Sequence, residues 1–469
     1  MNQTAETEKI SACRDKLRTA AAIHQLLIEL GRITRLAVPM ILAQLGQVAM
    51  MATDLIFIGR IGPDALAATA LAGRVYLVTF TIGQGLLAAM SPVIAQAFAG
   101  NDLALVRRSL VVGLWMALLV SLPIMAFSLC GEQVLLAFQQ NTDTSRLAGQ
   151  YLFGLAWGVA PALSFQAMRN FMAAVNTPEP ILRITLAAVP VNALLVYIFI
   201  DGKLGLPRLE LFGVGLATTL VNCGTLAAGL LYTKFRGPLS EYRLHLWRCD
   251  WRTMRQVISI GAPISMASLM SYGACSAATL LAGLISTDAL AAHHIVLQLA
   301  SILCMISSGV SIAAGVRVGH AAGRSDRRGV KRAGSVAMVV GVVITAVLTL
   351  GAIAARFGIA KLFLDDSRDG SDAAIALAAK LLVVGASFFV ADAVANVALG
   401  SLRGLKDTRV PLLFAGIAYW LIGFSVSYVL SFNVNLGAVG IWIGLSIGAG
   451  VYAGLLLLRF QFLANRLAL

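Results

Sequence analysis

Charged side chains are scarce in this sequence. Asp, Glu, Lys and Arg make up 12% of its 469 residues, whereas soluble proteins contain about 25%. Hydrophobic residues account for 59% of the chain, and the mean hydropathy is +0.84. This composition excludes an ordinary soluble domain and predicts an all-α polytopic membrane protein.

Motifs for metal binding and catalysis are also missing. The cysteines include no Cys-x-x-Cys pair and no metal-ligand spacing, so neither a disulfide nor a metal site is expected. The sequence contains no His-Glu-x-x-His and no phosphate-binding Gly-x-x-x-x-Gly-Lys-Ser/Thr motif. We therefore expect no enzymatic activity and no cofactor, and nucleotide hydrolysis within this chain is excluded as an energy source.

Long apolar runs fill most of the chain. Each is about 20 residues or longer, which is the length that a tilted helix needs to cross a hydrocarbon core of about 30 Å. We predict twelve transmembrane helices, at 37–58, 73–98, 107–129, 148–171, 181–201, 210–233, 257–285, 289–316, 333–355, 374–400, 411–432 and 437–458.

The basic residues are distributed asymmetrically between these runs. The 36 Lys and Arg residues give a formal charge of +14. With the N-terminus placed in the cytosol, most of them fall in cytosolic segments, as the positive-inside rule requires. The distribution predicts that both termini are cytosolic. It also accounts for the positive charge, so no nucleic-acid partner is needed to explain it.

The two halves of the chain resemble each other. Pro39 and Pro263 are separated by the same number of residues as the two Asp-Ala-Leu-Ala-Ala segments that begin at Asp64 and Asp288. Later in each half, Asn176-Thr177 matches Asp407-Thr408 at a slightly larger separation. Two halves of six spans that start on the same side are parallel repeats, which place the substrate at their interface.

This duplication gives a domain organisation with two six-helix bundles. We predict a cytosolic lead-in at 1–35, an amino lobe at 36–233, a cytosolic linker at 234–256 and a carboxyl lobe at 257–469.

Two carboxylates lie inside predicted spans, Asp54 in the first and Asp392 in the tenth. A charged side chain at membrane depth costs a few kcal/mol on insertion scales. Such residues are expected to face a water-filled cavity or the bundle interior, where they can take up a proton or a cation. The two aspartates therefore indicate a transporter.

Several further stretches resemble the multidrug and toxin extrusion (MATE) family, in its bacterial NorM-type branch. They include Ala52-Thr53-Asp54, Phe165–Phe171, Gly315–Ala321, Gly400–Thr408 and Gly440–Gly444. The resemblance implies a V-shaped, monomeric pair of six-helix bundles in the cell inner membrane. It also implies export of cationic or amphipathic small molecules in exchange for H+ or Na+, with membrane lipids as the surroundings.

The same resemblance suggests roles for individual residues. It makes Asp54, Asn192 and Asp392 the ion-coupling residues, and Asn192 is the polar partner in span five. A second polar position of the family in that span is Val196 here.

Two family positions of the carboxyl lobe have also changed. The usual acidic residue of span seven is Ser271, and the usual tyrosine of span ten is Phe388. Together with Gln84 and Asp392, these residues are expected to line the substrate cavity. A sodium site requires several oxygen ligands, so the changes favour Asp54 over Asp392 for coupling and H+ over Na+.

Two alternatives remain open at this stage. A lipid-linked precursor flippase of the same superfamily would require a cavity lined by arginines, whereas the predicted spans contain few basic residues. A transporter of the major facilitator superfamily would also have twelve spans. Its loop signature is approximated by Gly323–Arg332, but the corresponding loop of the first half, which begins at Gly100, lacks it.

Overall fold

The computed structural model describes residues 2–137, 139–203, 205, 207–235, 250–363 and 371–466, with the backbone alone for residues 2–23, 362, 363, 371 and 372. The secondary-structure elements of the described residues are all helices. Its α-helices are α1 (Asn2–Ile61), α2 (Pro63–Ala88), α3 (Met90–Ala99), α4 (Leu103–Leu129), α5 (Gly131–Ala137), α6 (Thr142–Ala156), α7 (Val159–Ala174), α8 (Glu179–Asp201), α9 (Glu210–Phe235), α10 (Trp251–Ile285), α11 (Thr287–Gly323), α12 (Arg327–Ala354), α13 (Arg356–Phe363), α14 (Ser371–Gly404), α15 (Arg409–Ala415), α16 (Ser425–Tyr428) and α17 (Ala438–Arg466).

The described residues contain a helical counterpart for each of the twelve predicted spans. Eleven helical segments within the described ranges are individually long and apolar enough to span a membrane. The remaining crossing corresponds to the predicted span 148–171 and consists of α6 and α7, which are separated by a turn at Trp157 and Gly158. The eleventh crossing, Arg409–Asn433, contains two π-helical stretches, Gly416–Phe424 and Val429–Asn433.

The first helix includes part of the predicted lead-in. Helix α1 continues without interruption through Pro39, and Glu29 and Ile33 on it are buried, at 3% and 0% exposure. The end of segment 1–35 is therefore packed into the helical body. Within the predicted linker 234–256, α9 extends to Phe235 and α10 begins at Trp251, and residues 236–249 lie outside the described residues.

Matching turns in the two halves support the duplication. Asn101 and Ser325 both have positive φ angles, of 59° and 56°. The residue after each of them, Asp102 or Asp326, caps the next helix by accepting a hydrogen bond from a backbone N–H of its first turn. Aspartate is a preferred N-cap because its carboxylate satisfies an otherwise unpaired helix donor. The charged loop at Gly323–Arg332 is thus the counterpart of a turn in the first half.

A second pair of turns shifts one of the sequence matches by a residue. The Asn176 N–H donates to Ala173 and the Lys406 N–H donates to Arg403, and both residues have positive φ. Asn176 therefore corresponds to Lys406 and not to Asp407, because the turn geometry is shared at that register.

The chain begins and ends on one side of the molecule, which we call the terminal side. The buried Arg317 side chain at the end of α11 forms two hydrogen bonds of 2.8 Å with Glu29 on α1. On the same side, Arg327 donates to the Ala464 carbonyl at 3.2 Å.

The two lobes approach each other closely in the terminal half of the molecule. A Cβ atom added at Gly85 would lie 2.5 Å from Ser265, and one added at Gly309 would lie 2.5 Å from Ile41. The Gln96 amide also donates to the Gly404 carbonyl at 2.8 Å. These contacts join the arms of the V near the terminal side.

Candidate functional site

The amino lobe contains a buried polar cluster around Asp54. Asp54 is 8% exposed and Asn192 is fully buried. The Asn192 Nδ2 atom donates to Asp54 Oδ1 at 2.6 Å, and the Thr218 hydroxyl lies 3.4 Å from Asp54 Oδ2. Helices α1, α8 and α9 supply the three side chains. Asn192 lies beside Asp54, and the ion-coupling role that the family resemblance implies for both residues stays a prediction.

One acceptor in this cluster has no partner. The Asn192 Oδ1 atom is buried and accepts no hydrogen bond from the described residues, although buried polar atoms are usually paired. The next inward-facing residue of α8 is Val196, which is fully buried in an apolar cluster and contributes no oxygen. The cluster can thus accept one further proton or a small cation, but it offers few oxygen ligands.

Asp392 lies in a different environment in the carboxyl lobe. It is half-buried on α14, and its Oδ2 atom accepts a hydrogen bond of 2.9 Å from Asn396 Nδ2. The same Nδ2 atom lies 3.7 Å from the Cys304 sulfur on α11. Asp392 is thus held between α11 and α14, away from the Asp54 cluster.

The other predicted cavity residues are dispersed around the carboxyl lobe and the contact between the lobes. Ser271 on α10 is half-buried and hydrogen-bonds with Tyr419. Phe388 is 7% exposed and packs edge-on against Trp442, with ring centroids 5.6 Å apart. Gln84 is half-buried on α2, next to the close contact of Gly85 with α10. Their lining of a substrate cavity stays a prediction.

A large cavity lies elsewhere in the amino lobe. It has a volume of about 910 Å³ and is lined on the terminal side by residues that include Arg35, Arg183 and Tyr232. None of the predicted cavity residues lines it. Within the described ranges, no group of three or more His, Cys, Asp or Glu side chains could hold a metal ion.

Sequence reasoning missed several neighbours of the two aspartates. The sequence could have predicted that Asn396 lies next to Asp392, because residues four apart lie on one helix face. Thr218 carries no such signal, since polar residues of its kind are common in membrane helices and only the packing of α9 against α1 brings it to Asp54.

Comparisons with known proteins agree with the duplicated architecture. The MatE family model matches the chain twice, over residues 39–198 and 263–429, and the two matches begin at the two predicted repeat prolines. The chain is 56% identical over 435 residues to a probable multidrug resistance protein NorM of Bradyrhizobium diazoefficiens, covering 92% of this chain and 93% of that protein. It is 50% identical over 432 residues to the protein of the same description from Rhodopseudomonas palustris, covering 92% and 91%.

Solved structures share the fold. A crystal structure of the eukaryotic MATE transporter AtDTX14 matches with a TM-score of 0.84 at 21% identity, covering 94% of this chain and 98% of that chain. An outward-facing multidrug resistance MATE family transporter matches with a TM-score of 0.83 at 19% identity, covering 94% and 98%. These matches confirm the predicted fold class, and members of the family are transporters rather than enzymes. On the strength of the double family match and the extent of the NorM similarity, the chain belongs to the MatE family of multidrug efflux transporters.

Proposed function

We propose that this transporter exports cationic or amphipathic drugs across the cell inner membrane in antiport with H+, and that Asp54 carries the proton. The observation on which the proposal rests is the burial of Asp54 beside Asn192. The terminal side faces the cytosol in this proposal, because most basic residues outside the spans lie there. A monomer suffices, since both lobes belong to one chain.

The donor set around Asp54 supports H+ rather than Na+. A sodium ion requires a shell of hard oxygen ligands, whereas a proton requires a single carboxylate. Asp54, Asn192 and Thr218 are the oxygen-bearing side chains that meet here, and Val196 adds none. The cluster therefore has the carboxylate that a proton requires but few of the oxygen ligands that a sodium ion requires.

The Asn192 amide offers a way to hold either protonation state of Asp54. The carboxylate accepts a hydrogen bond from Nδ2. A protonated Asp54 becomes a donor, and rotation of the amide would present the unpaired Oδ1 atom to it. Exchange between these two arrangements would let the cluster remain buried while its charge changes, which couples proton binding to the packing of α1 against α8.

Asp392 supports the choice of a cationic substrate. The residue is half-buried, and a carboxylate in a site of low dielectric constant attracts positive charge strongly. Asp392 thus acts on the drug in this proposal, and Asp54 acts on the proton.

The test is efflux of a fluorescent cationic dye from proteoliposomes in which a pH gradient or a Na+ gradient is imposed alone. We expect efflux under the pH gradient with Na+ replaced by choline, and loss of efflux in Asp54→Asn. Asp64→Asn is the matched control, because Asp64 is an exposed carboxylate at the start of α2. Strict Na+ dependence at fixed pH would instead show that further oxygen ligands complete a sodium site. Movement of an anionic lipid-linked substrate without dye efflux would favour a flippase.

A further inference from the structure

A buried arginine in the amino lobe has no acidic partner. Arg169 on α7 is 4% exposed, and its NH1 atom donates to the Gln44 and Gln47 side-chain oxygens at 2.9 and 3.2 Å. Its Nε atom has no acceptor, and no salt bridge to Arg169 is formed by the residues that the structure describes. Buried charges are normally paired, so this guanidinium is costly to retain and calls for a function.

Arg169 lies between Asp54 and the terminal side. Gln44 and Gln47 precede Asp54 on α1 by ten and seven residues, which places them about 10–15 Å closer to the terminal side at a rise of 1.5 Å per residue. Seven residues are nearly two complete helical turns, so Gln47 lies on the same face of α1 as Asp54. The positive charge of Arg169 is thus held on the terminal side of the proposed coupling carboxylate.

The carboxyl lobe contains a comparable arrangement. Arg403 follows Asp392 by eleven residues on α14, so it lies on the same helix face about 16 Å closer to the terminal side. The Arg403 residue is half-buried, and its Nε atom is buried and has no acceptor among the described residues. With Asn176 and Lys406 equivalent, Arg169 and Arg403 are one helical turn apart in the two repeats.

We propose that Arg169 and Arg403 are electrostatic barriers that close each lobe to cations on the cytosolic side of its aspartate. Cations would then reach and leave Asp54 and Asp392 only through the cleft between the lobes, whose opening alternates during transport. The proposal rests on the assigned role of Asp54 in ion coupling. It extends that role by explaining why a carboxylate inside the lobe does not conduct cations continuously.

Electrostatics gives the size of the barrier. A cation that passes about 4 Å from a fixed positive charge at an effective dielectric constant of about 20 is repelled by about 4 kcal/mol, which corresponds to a flux about a thousandfold lower. Removal of the charge would also release the Gln44 and Gln47 oxygens, which would then be free to receive a cation. Fixed arginines exclude cations from aqueous pores by the same principle.

The test measures passive ion entry into proteoliposomes that contain the full-length protein without drug. An inside-negative potassium diffusion potential drives Na+ or H+ entry, which internal fluorescent indicators report. We expect Arg169→Gln and, independently, Arg403→Gln to raise cation entry at least tenfold, while Arg169→Lys and Arg403→Lys remain near the wild-type rate. Arg252→Gln, at an exposed position near the terminal side, serves as the control.

Three results would overturn the barrier. The first is cation entry that is unchanged in both glutamine variants. The second is an increase in iodide entry as large as that in cation entry, which would indicate a hole without charge selectivity. The third is cation entry in the lysine variants as fast as in the glutamine variants. Two independent arginines and two substitutions at each guard against a variant that fails to fold.

The double variant Arg169→Gln/Asp54→Asn separates this proposal from the proposed function. Loss of the leak in the double variant would show that the leaking cation passes through Asp54, which supports both. A leak that persists would uphold the barrier and would count against Asp54 as the ion site.

Discussion

The ion pair between Glu29 and Arg317 is the contact whose removal should most clearly change the balance between conformations. It joins α1 of one lobe to α11 of the other with two hydrogen bonds of 2.8 Å, and the two side chains are only 3% and 9% exposed. The pair can exist only while the lobes are together on the terminal side. Alternating access requires them to separate there, which would return both charges to water.

The size of the expected shift between conformations follows from the burial of the Glu29–Arg317 pair. Removing one partner of a buried ion pair costs about 3–5 kcal/mol, because the other charge remains buried and unpaired. Glu29→Gln should therefore raise the ratio of terminal-side-open to closed molecules by roughly 10²- to 10⁴-fold. Glu29→Gln/Arg317→Met removes both charges and should restore most of the closed population, since replacing both partners of such a pair is often nearly neutral.

A cysteine placed at Ala95 would report the opening. Ala95 is fully buried, and a Cβ atom on Gly319 would lie 3.0 Å from it, so only separation of the lobes exposes it. In a background without native cysteines, a membrane-impermeant maleimide applied to the terminal side should label this position much faster in Glu29→Gln than in the parent or the double variant. Equal labelling in all three would refute the reasoning, because the pair would then contribute nothing to closure.

Three further outcomes are expected. Gly444→Ala should lower the free energy of unfolding in detergent by about 1–3 kcal/mol, because the added Cβ atom would lie 2.2–2.6 Å from atoms of Ser427. A Cβ atom at Gly450 on the same helix would meet nothing within 4 Å, so Gly450→Ala should leave the melting temperature unchanged or raise it. Asp250→Ala removes the N-cap of α10 and should lower the free energy of unfolding by about 0.5–2 kcal/mol. A threonine hydroxyl bonded to the Asp250 carboxylate lowers its pKa. The stabilisation should therefore be present above the pKa of the unfolded state and disappear as the pH falls through the lower pKa of the folded state, as unfolding curves between pH 2 and 6 would show. Asp392→Asn should weaken drug binding while efflux still depends on the gradient, and Asp54→Asn should do the reverse; loss of gradient dependence in Asp392→Asn with intact drug affinity would exchange the two roles.

Local sequence determined much of this molecule. Hydropathy fixes the crossings because each membrane helix satisfies its own backbone hydrogen bonds, and the repeat is visible because Pro39 and Pro263 keep their spacing to later anchors. The buried Asp54 could be recognised from its apolar surroundings alone. The family resemblance then supplied Asn192, and the structure places it 2.6 Å from Asp54.

Tertiary structure decided which helix faces meet. No local pattern pairs Glu29 with Arg317, which are 288 residues apart in sequence, or places Arg169 against Gln44 on a different helix. The place of Phe388 in a cavity stays a prediction, and only the structure shows that its ring packs against Trp442. Hydrophobicity alone is enough to place a helix in the membrane. The partners of its side chains depend on the rotation and register of the packed helices, and only the folded structure determines these.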